Sequence, residues 1–384
     1  MRKFSGLMAL IATGLITSHA GAQEGVTETE VRFAQVAAIE GPAAALGTGM
    51  QQGILAAFAE ANSAGGVHGR MLTLETTDDG YEPTRSIDAV NAVIAANDAI
   101  ALIGPVGTPT TKATQPIATE ADMPMIGPFT GAGFLRDPAL KNVVNLRATY
   151  DAETQAWIDY LVDDLGYTNI AILYQDDGFG RVGLSGVKSA LDARGMTLSA
   201  EGTYTRNTVA VKSALLEIRK AKPQAIVMVG AYKPLSEFIK LAKKLNMEPT
   251  FVTISFVGSK ALAAELGDAG DGVIISQVVP EPWDVSIPVV AEYQAALKAY
   301  DPAAEPGFVS LEGYLTGRLA IAALMDAGAD VSRRSYLDAL QRLGSMDFGG
   351  FPMTFGAGDN QGSDSVFLTR IKADGSFETV LPSS

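Results

Sequence analysis

Threonine hydroxyls at the ends of two similar loops are the groups in this sequence best placed for binding chemistry. The first loop is Ala101-Leu-Ile-Gly-Pro-Val-Gly-Thr108-Pro-Thr110-Thr111, and the second is Pro124-Met-Ile-Gly-Pro-Phe-Thr130-Gly131. In each, a short apolar run of the kind found in buried parallel strands ends in a Gly-Pro turn that carries hydroxyls. Thr108, Thr110 and Thr111 stand where a helix running on through Ile117 to Ala121 would begin, so hydroxyls and free backbone N–H groups gather at its positive end. Such a site suits a carboxylate or similar small anion without a basic side chain. Ordinary helix capping accounts for one such loop equally well. Two loops at neighbouring strand ends converge on one crevice, because ligands of open α/β sheets bind beyond the carboxyl ends of the strands.

Other chemistry is excluded by composition. The chain has no cysteine and two histidines, of which His19 falls in an N-terminal export signal and His68 in a glycine-rich turn. Hydrolytic triads, zinc sites of the common kinds, thiol nucleophiles and disulfides therefore cannot be built. No metal site and no cofactor are expected, and no G-x-x-x-x-G-K-[ST] phosphate loop is present. Gly178-Phe-Gly180-Arg-Val-Gly183 is formally G-x-G-x-x-G, but Gln175-Asp-Asp177 separates it from the preceding strand and Phe179 and Arg181 would crowd a pyrophosphate. The Asp176-Asp177 pair reads as solvated.

The elements that must position the loops alternate. Strands are expected at Val31, Met71, Ile100–Gly104, Pro124–Gly127, Ile170–Tyr174, Ala225–Gly230 and Phe251–Ile254. Helices are expected at Gly47–Asn62, Pro83–Asn97, Glu153–Asp164, Gly183–Arg194 and Leu235–Asn246. This order specifies a doubly wound α/β protein with parallel sheets. Polar residues 142–153 mark a lobe boundary near 149, and the proline-stiffened Gln277–Trp283 marks a second crossing. The Gly- and Asp-rich end, 355–384, reads as small antiparallel additions.

The chain opens Met1-Arg2-Lys3, runs apolar from Leu7 to Ile16 and reaches Ala20-Gly-Ala22, which reads as a cleavable signal peptide cut after Ala22. The 362 residues that follow suit two domains, and no later segment reads as apolar enough to cross a membrane. Their net charge of about −16 disfavours nucleic acid and anionic lipid. With 47% hydrophobic residues, core burial alone can hold the fold.

Gly41-Pro-Ala-Ala-Ala-Leu-Gly47, Asn62-Ser-Ala-Gly-Gly-Val-His-Gly69, Asp78-Asp79 with Pro83, Ile103-Gly-Pro-Val-Gly-Thr108, Gln175-Asp-Asp-Gly-Phe-Gly180 and Gly230-Ala-Tyr232-Lys-Pro234 fall in a telling order. In these the whole mature chain resembles the type I periplasmic solute-binding proteins of ABC transporters, specifically the leucine/isoleucine/valine-binding group. The resemblance implies two α/β lobes joined by three crossovers, 23–149 with 279–352 and 150–278 with 353–384. It implies a periplasmic, monomeric, non-enzymatic protein that closes on a solute and presents it to a membrane permease. The implied ligand is a small, largely apolar amino acid of the branched-chain type. A sensory domain and a secreted enzyme are weaker readings.

By the same resemblance Thr108 holds the ligand carboxylate and Thr130 is the second-loop hydroxyl. Leu46 stands where an aromatic lid is usual, and Phe179 and Tyr232 are second-lobe aromatics. The acid that pairs with the ligand's amino group falls on Ser255, which is neutral. Either Glu312 or Asp176 replaces it, or the ligand is a carboxylate without an ammonium, or an amide. Glu312 otherwise reads as a solvated helix acid.

Overall fold

The computed structural model describes residues 24–380, so the signal segment lies outside the described residues. Strand β1 (Glu30–Ala37) leads into α1 (Ala44–Ser63), then β2 (Met71–Asp78), α2 (Pro83–Ala96), β3 (Leu102–Ile103), α3 (Thr108–Glu120), β4 (Met125–Ile126) and β5 (Val143–Val144). These strands form a parallel sheet in the order β2-β1-β3-β4-β5.

The second unit runs α4 (Tyr150–Ile158), β6 (Ile170–Gln175), α5 (Gly178–Asp192), β7 (Ala200–Tyr204), α6 (Lys212–Lys220), β8 (Ala225–Val229), α7 (Tyr232–Lys244), β9 (Thr250–Thr253), α8 (Ser259–Leu266) and β10 (Ile274–Gln277). Helices α9 (Pro288–Tyr300) and α10 (Phe308–Ala327) return to pack on α1, followed by α11 (Arg333–Gln341) and the hairpin β11 (Ser345–Asp347) and β12 (Pro352–Thr354). Strands β13 (Phe367–Ile371) and β14 (Phe377–Thr379) add antiparallel to β10, giving the order β14-β13-β10-β9-β8-β6-β7. The two doubly wound lobes follow from strands such as β8, Ala-Ile-Val-Met-Val, buried on both faces beneath helices.

Three expectations need correction. The last crossing comes later than 352/353: Asn145 pairs with Gln361 and Ser363 donates to Leu146 before β13 joins the second sheet. Helix α5 starts at Gly178 rather than Gly183 and α7 at Tyr232 rather than Leu235. The glycines in that first stretch serve packing, since a Cβ at Gly180 or Gly183 would overlap Gln175 or Val229. Finally, α10 is long and apolar enough by composition to span a membrane, but it is mostly buried and its Gly313 and Gly317 lie against α1 as a core helix.

Candidate functional site

The twin loops have one geometry. Gly104 and Gly127 adopt φ of 57° and 56°, a left-handed conformation that glycine takes at little cost. After these turns the chains stay paired: Phe129 N donates to Pro105 O at 2.8 Å, and Gly107 N donates to Phe129 O at 3.2 Å. This pairing carries Thr108, the first residue of α3, and Thr130 to one point, where their hydroxyl oxygens lie 2.7 Å apart and buried. Thr110 instead turns back to the Val106 and Gly107 carbonyls at 2.5 and 2.9 Å, which is local helix-end bonding.

The second lobe supplies the facing wall. Asp177 caps α5 by accepting from Phe179 N at 2.9 Å, which sets the Phe179 ring 5.5 Å from Tyr150 and 4.7 Å from Phe256. Phe256 in turn lies 5.4 Å from Phe129 and 5.8 Å from Tyr81, so rings of both lobes meet in one box. Tyr232 accepts from Ala45 N at 3.4 Å, and Leu46 packs at Gly258, joining the early loop to the second lobe. Thr108, Thr130, Leu46, Phe179, Tyr232, Ser255 and Glu312 are all buried, with the lobes in contact.

Ser255 sits at the centre of a charged network. Its N–H and hydroxyl donate to the two Glu153 oxygens at 2.9 Å each, Glu153 also accepts from Ser276 at 2.5 Å, and Ser255 Oγ accepts from Arg147 Nη2. Glu312 is 3% exposed, not solvated, because α10 presents it inward beneath α1. Its Oε1 lies 3.2 Å from Arg147 Nε, an ion pair without hydrogen-bond alignment. Asp176 is on the surface, paired with Arg181 at 2.6 Å.

Arg147 is 0% exposed, its guanidinium stacked 4.7 Å from the Phe129 ring centre, and its Nη1 has no hydrogen-bond acceptor among the described residues. Burial works against its charge, yet Glu312 and Glu153 prevail and hold its pKa above the ordinary arginine value. Burial raises Glu312 to about 7, against the pull of Arg147 and with the push of Glu153. Neighbouring Arg136 is lowered to about 9 by burial and by Arg147, and spends its donors on the Thr130, Ala132 and Arg147 carbonyls and on Gln361. The buried Tyr150 hydroxyl stands beside Thr130 without a well-aligned hydrogen bond.

Outside this core, Arg206 bridges Glu82 of the first lobe at 2.8 Å and Asp177 of the second at 3.1 Å, and Asn207 donates to Gly80 O and Glu82. A cavity of about 750 Å³ beside Trp283, Glu281 and Phe377 lies away from the twin loops. Sequence reasoning missed Arg147, Tyr150, Glu153 and Phe256. The available signal was a lone basic residue, Arg147, between Leu146 and Ala148 in the crossover 142–153.

The Periplasmic binding protein family model matches residues 30–376. The chain is 24% identical over 372 residues to Leu/Ile/Val-binding protein homolog 8 of Brucella abortus, covering 92% of this chain and 91% of that one. It is 26% identical over 210 residues to the Leu/Ile/Val-binding protein BraC3 of Rhizobium johnstonii, covering 54% of this chain and only 56% of that relative's length. Among solved structures, one described as a possible leucine/isoleucine/valine-binding protein from Rhodopirellula baltica superposes with a TM-score of 0.87 at 37% identity, covering 94% of this chain and 98% of the other. These are solute-binding proteins rather than enzymes, and the family implies a periplasmic location. The chain belongs to the periplasmic binding protein family, as a type I member of the leucine/isoleucine/valine-binding group.

Proposed function

We propose that this protein is the solute-binding component of an ABC importer, carrying a small, largely apolar carboxylate to a membrane permease. The names of the relatives point to branched-chain amino acids as the nearest ligand type. The observation that carries the reading is the buried pair of Thr108 and Thr130 hydroxyls at the start of α3, in a molecule whose lobes also meet through the buried Leu46, Phe179 and Tyr232. Hydroxyls and free N–H groups at a helix N-terminus favour an anion, and the surrounding apolar side chains favour a compact hydrophobic body. Contacts drawn from both lobes make closure a population shift toward the closed form.

The test is a thermal-shift panel of amino acids, aliphatic and aromatic acids, keto acids, amides and polyols, followed by small-angle scattering on each hit. A hit that raises the melting temperature and contracts the particle is the expected result. A panel without any hit and without compaction sinks the transport reading.

A further inference from the structure

We infer that Arg147 is the cation that receives the ligand's carboxylate, and that the ligand has a ring-sized apolar body and no ammonium group. This inference rests on the solute-binding reading above and narrows its ligand class.

Three observations carry it. First, the crevice holds a cation with an unused N–H: Arg147 is fully buried and ion-paired with Glu312 at 3.2 Å, Nη2 alone of its nitrogens makes a hydrogen bond, to Ser255, and Nη1 has no acceptor among the described residues. A buried donor of a charged group is costly to leave unmade, so an acceptor there is worth more than a surface contact. Beside it stand the Tyr150 hydroxyl, also buried and poorly partnered, and the Thr108–Thr130 pair. Together these supply hydrogen bonds to both oxygens of a carboxylate.

Second, among the described residues every acid around the crevice already has a hydrogen-bonding or cationic partner. Glu153 accepts from Ser255 N, Ser255 Oγ and Ser276 Oγ. Glu312 is the counter-ion of Arg147. Asp177 accepts from Phe179 N, Gln175 and Arg206, and Asp79 accepts from Tyr81 N and Ser86. An ammonium placed here would meet Arg147 and Arg136 with no anion of its own. Third, Phe129, Phe256, Phe179 and Tyr150 form a continuous line of aromatic rings, with centroid spacings of 4.7 to 5.5 Å between neighbours, and its two end rings, Phe129 and Tyr150, flank the Arg147 guanidinium. Such walls favour a flat or bulky apolar body.

The test uses the full chain and pairs of probes that differ only in the amino group: 4-methylpentanoate against leucine, and 3-phenylpropanoate against phenylalanine. Calorimetric titration at neutral pH is expected to give at least tenfold tighter binding for each des-amino member. Arg147→Met, checked for its circular-dichroism spectrum, is expected to lose roughly 100-fold in that affinity. Tyr150→Phe removes one oxygen, leaves the fold intact, and is expected to lose roughly tenfold. Leucine or phenylalanine binding as tightly as its des-amino partner, or Arg147→Met binding like wild type, overturns the inference and leaves the solute-binding role standing. If neither member of either pair binds while an amide or polyol of the wider panel does, the inference again falls and the role survives. Failure of the whole panel removes both.

Discussion

The hydroxyls of Thr108 and Thr130 meet at 2.7 Å although they lie 22 residues apart on separate strand-to-loop exits. Each is delivered by the same device, a Gly-Pro turn whose glycine has a φ near 57°, and the two loops remain bonded to each other beyond their strands. The pair thus places two hydroxyls at one buried point. Thr108→Val preserves shape and removes one hydroxyl. It is expected to weaken binding of a carboxylate by roughly 1 to 3 kcal/mol, as for a lost hydrogen bond to a charged acceptor, and to lower the melting temperature because it leaves the buried Thr130 hydroxyl without that partner. Calorimetry on the variant checks this, and unchanged affinity would reduce the loop to helix capping.

At Ser255, the position that the family resemblance assigns to an acid, Glu153 reaches in from α4 and takes both Ser255 donors. Negative charge is thus present beside Ser255, supplied by α4, and it holds the second lobe's β9 and β10 ends together. Ser255→Ala strands Glu153 Oε1 and Arg147 Nη2 in a buried setting and is expected to destabilise the fold by about 1 to 3 kcal/mol. Ser255→Glu is expected to cost more, by placing like charges side by side. Urea unfolding of the two variants gives the order, and a Ser255→Glu protein as stable as wild type would contradict the network.

Much of this site was legible because its signals are local. Apolar runs ending in Gly-Pro with threonines identify strand exits without knowledge of their neighbours, and so the loops of Thr108 and Thr130 could be found in the chain. Arg147 could not: its partner Ser255 is 108 positions away, and only the packing of α10 under α1 shows that Glu312 faces inward. Glycine misled in the same way. The expected helix start at Gly183 left out Gly178 and Gly180, which open α5, and close approach of the helix to β6 leaves no room for a Cβ at Gly180.

The Arg206 clasp joins the lobes at their rim. Its partners Glu82 and Asp177 are 43% and 14% exposed at the side chain, so solvent screens the Glu82 arm more strongly. Glu82→Gln is expected to weaken closure by well under about 1 kcal/mol, the range of exposed ion pairs. The effect should appear as faster ligand release in stopped-flow at low salt and fade above about 0.5 M salt. A Glu82→Gln effect that persists at high salt would mean that Asn207, which also donates to Glu82, carries the contact.

Glu312 gives the closed form a pH dependence whose sign follows from burial. Facing Arg147, Arg136 and Glu153, its carboxyl titrates near 7 when folded, against an ordinary value of 4.5. Between those two values the folded protein holds a proton that the unfolded chain has released, so this group's contribution to stability falls as pH rises from 4.5 to 7 and is constant outside that window. Glu312→Gln keeps the neutral form at every pH and is expected to flatten that part of the profile, becoming relatively more stable than wild type above pH 7. A carboxylate ligand taking an Arg147 donor would weaken the hold of Arg147 on Glu312 and draw a proton onto it. Binding at pH 7 is therefore expected to take up a fraction of a proton, read from calorimetric heats in buffers of different ionisation enthalpy, and this uptake should vanish in Glu312→Gln. Parallel stability profiles for wild type and Glu312→Gln across pH 4.5 to 8 would show that the carboxyl stays ionised throughout, with Arg147 dominating over burial.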